Sequence, residues 1–160
     1  MNRLGLAVLI LTSLAQAARA QTGAPHDAGL TVTVPDSWKL VVKDAGITGE
    51  SKDKEVALLV WSVDSADAEV IEKKLEGELF SAVANVKWDK PTTGKVHGLA
   101  ATYFTSTGHA VGGDVAIRAA VIGPGPVKKS LLAAVVVKVD KLAKHTSELQ
   151  AILASVQRAK

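Results

Sequence analysis

Two hydrophobic periods alternate along this chain, one of two residues and one near 3.6, and the switches between them divide it into elements. Residues 98–140 hold three apolar runs, GLAATYFTSTG, GDVAIRAAVI and SLLAAVVVKVD, separated by glycine-rich breaks at 108–113 and 123–126. Each run has the length of a strand and is rich in β-branched or aromatic residues, and the breaks are short enough for hairpins, which predicts an antiparallel meander. In the last run Leu131, Ala133, Val135 and Val137 alternate with Leu132, Ala134 and Val136, so both faces of that strand must be covered. Each run also carries an alanine pair: Ala100 with Ala101, Ala119 with Ala120, Ala133 with Ala134. Turns centred near Ala110 and near Pro126 and Val127 would place the three pairs side by side, a band of small side chains on each face.

Upstream, Leu30, Val32 and Val34 alternate with Thr31 and Thr33, a half-buried strand over 30–34. Pro35, Asp36 and Ser37 end it in a turn with Trp38 at the corner. A short strand follows at 39–43, then a polar connection at 46–54 and a strongly apolar strand at 55–63. From 65 to 86 the period becomes helical: Ala68, Ile71, Leu75, Leu79, Ala82, Val83 and Val86 share a stripe that excludes Glu69, Glu72, Lys73, Lys74, Glu76 and Glu78. Ser65 or Asp64 is the expected N-cap, and Gly77 falls mid-helix, where close packing or simple tolerance explains it. Residues 87–95 read as a strand end plus a turn. Ser147 with Gln150 forms a capping-box pattern, and Leu149, Ile152, Leu153 and Val156 make the stripe of a C-terminal helix near 147–158. The expectation is an α+β fold with a central antiparallel sheet of about six strands and helices on both faces.

Residues 1–20 read as a signal peptide, with Arg3 in the basic region, an apolar segment from Leu4 to about Leu14 and a cleavage motif at Ala18, Arg19 and Ala20. The segment is shorter than the ~20 residues of a membrane span, so no transmembrane anchor is expected. Cleavage before Gln21 removes Arg3 and Arg19 and lowers the net charge from +3 to +1, which argues against general nucleic-acid binding. The chain has no cysteine, hence no disulfide and no acyl anchor. Residues 21–29 read as a flexible linker and 30–160 as one domain, and the expected location is the periplasm or the exterior.

The corner Val34-Pro35-Asp36-Ser37-Trp38, the acidic amphipathic helix, Val96-His97-Gly98-Leu99-Ala100 at the start of the meander, and Ile152-Leu153-Ala154-Ser155-Val156 in the closing helix together resemble the PsbP-like superfamily. That superfamily includes extrinsic photosystem II subunits, a Ran-binding import factor and bacterial envelope proteins of the DcrB type. The resemblance spans nearly all of 30–160 and implies an α/β/α sandwich, and a non-enzymatic domain that binds protein partners or supports assembly. The absence of an acylated cysteine departs from the lipoprotein members. No functional residue carries over.

No Gly-x-Ser-x-Gly motif occurs, and Gly123-Pro124-Gly125-Pro126 lacks the lysine, the following helix and the amides of a phosphate loop. The four histidines are far apart in sequence, and His109 with Asp114, flanking a hairpin turn, is the best local metal pair, set against a solvated turn. Trp38, Trp61 and Trp88 are core or corner residues, or an aromatic platform; Trp38 and Trp88, beside turns, are the two to test for exposure. Lys128 and Lys129, with Lys138, Lys141 and Lys144, form a basic patch or a solvated sheet edge. Trp38, Trp88, Lys128 and Lys129 are thus the candidate interaction surface. Arg118, inside an apolar strand, needs a partner or an escape to solvent, the partner being a helix carboxylate or a ligand anion. The reading is an exported module that binds a protein partner in the cell envelope without catalysis or cofactor. The alternatives are a small-ligand or lipid-binding domain, with its pocket between the sheet and the 71–86 helix, and an enzyme, which would need two or more perturbed titratable groups converging in a cleft.

Overall fold

The computed structural model of the chain describes residues 20–22, 27–43, 46–79, 82–124 and 128–159. In chain order these form β1 (Ala20–Thr22), β2 (Leu30–Thr31), β3 (Thr33–Pro35), β4 (Lys39–Lys43), β5 (Gly46–Glu50), β6 (Val56–Val63), α1 (Ala68–Leu79), β7 (Val83–Trp88), β8 (Thr92–Val96), β9 (Leu99–Ala110), β10 (Gly113–Ile122) and β11 (Ser130–Lys138). A 3-10 turn at Val139–Lys141, α2 (Leu142–Ala154) and β12 (Gln157–Arg158) follow. The main sheet is antiparallel, in the order β4-β5-β6-β11-β10-β9-β7, with β8 also pairing along β9. Among the described residues it holds eight strands, where about six are expected.

The helices cover opposite faces. Ile71 and Leu75 of α1 pack with Trp61, Val63, Phe104, Ala119, Val121, Leu132 and Ala134. Leu149 and Ile152 of α2 pack with Val56, Leu58, Val60, Ala116, Ala120, Leu131, Ala133 and Val135. The two sets have opposite parity along each strand, which is why β11 is apolar at consecutive positions. The 30–34 alternation is present, with Leu30, Val32 and Val34 buried beside α2. It joins two small ladders, β12–β2 and β1–β3, and not the main sheet. Within the expected 21–29 linker, Gln21 and Thr22 pair with Val34 and Thr33, and Ala28 is buried. Residues 1–19 of the expected signal peptide lie outside the described residues.

The differences have local causes. β5 falls in a stretch that reads as polar connection because two of its residues are glycines, yet both are packing positions. A Cβ at Gly46 would lie 2.3 Å from Val60 O and one at Gly49 2.9 Å from Leu40 Cδ2. The long helix ends at Leu79, and Val83 and Val86 belong to β7. A bulge between Ala84 and Lys87, with Asn85 at φ 54°, breaks the alternation of that strand and lets its apolar residues extend the helical stripe. The N-cap of α1 is Asp67, whose Oδ1 accepts from the amides of Glu69 (3.1 Å) and Val70 (3.2 Å). α2 begins at Leu142, so Ser147 and Gln150 stand on its exposed side and cap nothing.

The alanine register holds for one strand pair and fails for the other. Ala119 faces Ala134 and Ala120 faces Ala133. On β9, however, Ala101 faces Ile122, and Ala119 faces Phe104. The reason is the turn: β9 runs on through Gly108 to Ala110, and Val111 with Gly112 (φ 100°) makes a two-residue hairpin. Gly108 is a strand residue, because a Cβ there would sit 2.4 Å from Val83 Cγ1 on β7. Among the described residues no helix carboxylate pairs with Arg118. Its guanidinium donates to the carbonyls of Ile117 (2.9 Å) and Ser106 (3.3 Å).

Candidate functional site

The densest titratable cluster among the described residues lies where the β5–β6 loop meets α2. The loop is closed by its own polar groups: Ser51 Oγ donates to Asp53 Oδ1 (2.7 Å) and accepts from Val56 N (3.0 Å), and Glu55 N donates to Asp53 Oδ1 (3.2 Å). Asp53 Oδ1 is thereby committed to the loop, and Oδ2 faces α2. From the helix come Lys144, His145 and, one turn on, Glu148. His145, which reads as preceding a helix in sequence, is inside one and only 5% exposed.

The imidazole is enclosed by carboxylates. Its Nε2 lies 3.2 Å from Glu55 Oε2 and 3.4 Å from Asp53 Oδ2, and its Nδ1 lies 3.2 Å from Glu148 Oε2. Glu148 Oε1 accepts from the Trp38 indole N–H at 2.8 Å. Lys144 Nζ donates to Asp53 Oδ2 (2.6 Å) and Glu55 Oε2 (2.7 Å), and Lys141 Nζ is 3.7 Å from Glu55 Oε1. A cleft of about 360 Å³ opens beside the cluster, bounded by Ser37, Trp38, Ser51, Lys52, Asp53, His145 and Glu148.

The electrostatics follow from this enclosure. The hydrogen bonds from Lys144 and Ser51 hold Asp53 far below the usual carboxylate range, and those from Lys144 and His145 lower Glu55. Lys144 is correspondingly raised, by its bonds to Asp53 and Glu55. For His145, burial pulls the imidazole down, but the bonds to Glu148 and Glu55 and the charge of Asp53 outweigh it, and the net direction is up. The arrangement can hold a proton or a cation. It meets the convergence that an enzyme reading requires, but its charges are spent on one another, and the Ser51 hydroxyl is engaged within the loop.

The residues singled out from sequence lie elsewhere. His109 and Asp114 do come together, with Nδ1 2.9 Å from Oδ1, as facing residues of β9 and β10; both are exposed. The adjoining cleft contributes Lys87 and no further carboxylate or imidazole. Trp38 is 3% exposed and Trp88 is half-buried, its N–H on Glu76 (2.8 Å) and its ring edge-on to Phe104. Trp38 packs on the α2 face and Trp88 on the α1 face, so the two do not share a surface. Lys128 is exposed, whereas Lys129 is paired with Asp27. Of the expected basic patch, Lys141 and Lys144 belong to the cluster on α2. Sequence reasoning passed over Asp53, Glu55, His145 and Glu148; the signals were an Asp-x-Glu in a polar loop and a His-x-x-Glu at helical spacing.

No protein-family model and no curated protein matches the sequence. Solved structures do match over most of the chain. The cyanobacterial PsbP of Synechocystis sp. PCC 6803 superposes with a TM-score of 0.66 at 12% identity, covering 88% of this chain and 93% of that one. The Ran-binding protein Mog1p of Saccharomyces cerevisiae gives 0.57 at 13% identity, over 90% and 97%. LpqN of Mycobacterium tuberculosis, involved in cell envelope biogenesis, gives 0.58 at 14% identity, over 88% and 92%. The chain therefore has the PsbP-like fold, the fold that the motifs above imply.

Proposed function

We propose that this chain is an exported binding or assembly module that acts, without catalysis, through a protein partner in the cell envelope. The observation that most supports this reading is the fold itself, held over nearly the whole chain in common with a cyanobacterial PsbP, a Ran-binding protein and a protein involved in cell envelope biogenesis. A second observation points the same way: the stripe of α1 packs into the sheet, with Ile71 and Leu75 fully buried, and the clefts of about 430 and 240 Å³ beside it open at its flanks, along Glu76 with Val83 to Val86 and along Ser62 to Ser65 with Val70, Ile71 and Lys74. No helix among the described residues is long and apolar enough to cross a membrane.

The test is capture of epitope-tagged protein from cross-linked envelope extracts, read by mass spectrometry. Reproducible enrichment of one or two envelope proteins over a tagged control is the expected result. A folded preparation that enriches none, or that is recovered with the cytosolic fraction, would overturn the reading. The ligand-binding alternative keeps one observation of its own, a cleft of about 530 Å³ at the other helix, with Val96, Tyr103 and Leu153 among its walls and Lys95, His97 and Gln150 at its polar positions.

A further inference from the structure

We propose that Asp53, Glu55 and His145 form a binding site for a divalent transition metal of the Zn²⁺ class, in which the Lys144 ammonium takes the place of the ion in the metal-free protein. This goes beyond the assembly reading and does not depend on it. The donor set is one imidazole nitrogen and two carboxylate oxygens, all within 4.8 Å of one another. That mixture suits zinc and its neighbours better than the all-oxygen cations.

The spacing is that of a coordination sphere. Zinc bonds of about 2.0–2.2 Å set tetrahedral ligand-to-ligand edges of about 3.3–3.6 Å. The separations from His145 Nε2 to Glu55 Oε2 and Asp53 Oδ2 are 3.2 and 3.4 Å. Two of the three edges are therefore already those of a zinc site, and the edge between the two carboxylates lies within 4.8 Å.

The supporting shell is built as a metal site requires. Ligating histidines commonly give their second ring N–H to a carboxylate, which fixes tautomer and ring plane. Here Nδ1 meets Glu148 Oε2 at 3.2 Å, and Glu148 is itself held by the Trp38 N–H. Asp53 is steadied through its other oxygen by Ser51 and the amide of Glu55. These contacts orient the ligands and leave Asp53 Oδ2, Glu55 Oε2 and His145 Nε2 turned toward one point.

That point already attracts positive charge. Lys144 Nζ bonds both carboxylates, yet its side chain is 57% exposed and its long stem can swing into solvent. Three protein ligands leave a fourth position, and the cleft along Ser37, Trp38 and Lys52 gives water, or a donor from a bound partner, access to the cluster.

The experiment is titration of chelator-treated, untagged protein with Zn²⁺ by calorimetry and with Co²⁺ by visible absorption. The expected result is one equivalent per chain and the d–d bands of four-coordinate cobalt. The near-isosteric variants Glu55→Gln and Asp53→Asn should each weaken binding at least ten-fold, and Glu148→Gln about 10–100-fold. Lys144→Met, which removes the competing ammonium, should tighten it, while His109→Ala leaves it unchanged. No uptake by folded wild type and folded Lys144→Met would mean an ion-pair network only and overturns the proposal. Uptake insensitive to Glu55→Gln and Asp53→Asn but lost in His109→Ala would do the same, by placing the ion on the β9–β10 hairpin.

Discussion

Gly77 and Gly108 are both interior to regular elements, and only their surroundings separate them. A Cβ at Gly77 meets nothing within 4 Å, so the glycine costs α1 backbone order without serving the packing. Gly77→Ala should stabilise the fold by about 0.5–1 kcal/mol. At Gly108 the same methyl would collide with Val83 Cγ1 at 2.4 Å and approach Ala84 O at 3.2 Å. Gly108→Ala should destabilise by about 1–3 kcal/mol, as overpacking does. Urea denaturation of the two variants checks both signs, and a stable Gly108→Ala would mean that β7 does not lie on β9 as described. Neither outcome is legible in sequence, because a glycine in a polar or periodic run reads the same whether it marks a turn, a close approach or open space.

At the scale of elements, the cluster fastens the β5–β6 loop to α2, and its strength depends on pH. The groups facing His145 are Asp53 and Glu55 from the loop and Lys144 and Glu148 from the helix. The folded imidazole is raised above its ordinary 6.5. Its contribution to stability is therefore complete below that value and is lost as pH rises through the higher folded value. In chelator-treated protein the thermal midpoint should fall as pH goes from about 6 to about 8. In His145→Gln that slope should flatten whatever the variant's absolute stability. A slope unchanged in the variant would remove His145 as its source. Asp53 and Glu55 act on the opposite side: their lowered values add stability above the ordinary carboxylate range that is lost on acidification. The elements that carry this site were unevenly legible. The strands 55–63 and 113–122 follow from their apolar patterns, but α2 begins five residues before its expected start, at Leu142 and not near 147, because Ser147 and Gln150 imitate a cap. The site itself was hidden by distance. Glu55 and His145 are 90 residues apart and meet only because β6 pairs with β11, which leads directly into α2.

Over the whole molecule, stability is graded from the middle of the sheet outward. β10 and β11 are almost wholly buried between the two helices, whereas β8 is exposed along most of its length and Val41 and Val42 of β4 stand in solvent at the other edge. Amide hydrogen exchange should be slowest in β10 and β11 and fast in β4 and β8. Core-like protection of β4 in the isolated protein would mean that its free edge is covered. The sandwich was legible as a whole because a strand apolar at every position demands cover on both sides. The strand count was not, because bulges and packing glycines erase the alternation that identifies a strand.

The proposed metal site rests on a loop and a helix that this fold brings together around a position for a cation. It is tested most directly by anomalous diffraction at the zinc edge from crystals of the untagged protein grown with Zn²⁺. The expected result is a peak about 2.0–2.2 Å from Asp53, Glu55 and His145, with Lys144 turned out into solvent. A map with the Lys144 ammonium still between the two carboxylates, and with zinc absent or only at His109 and Asp114, would contradict it.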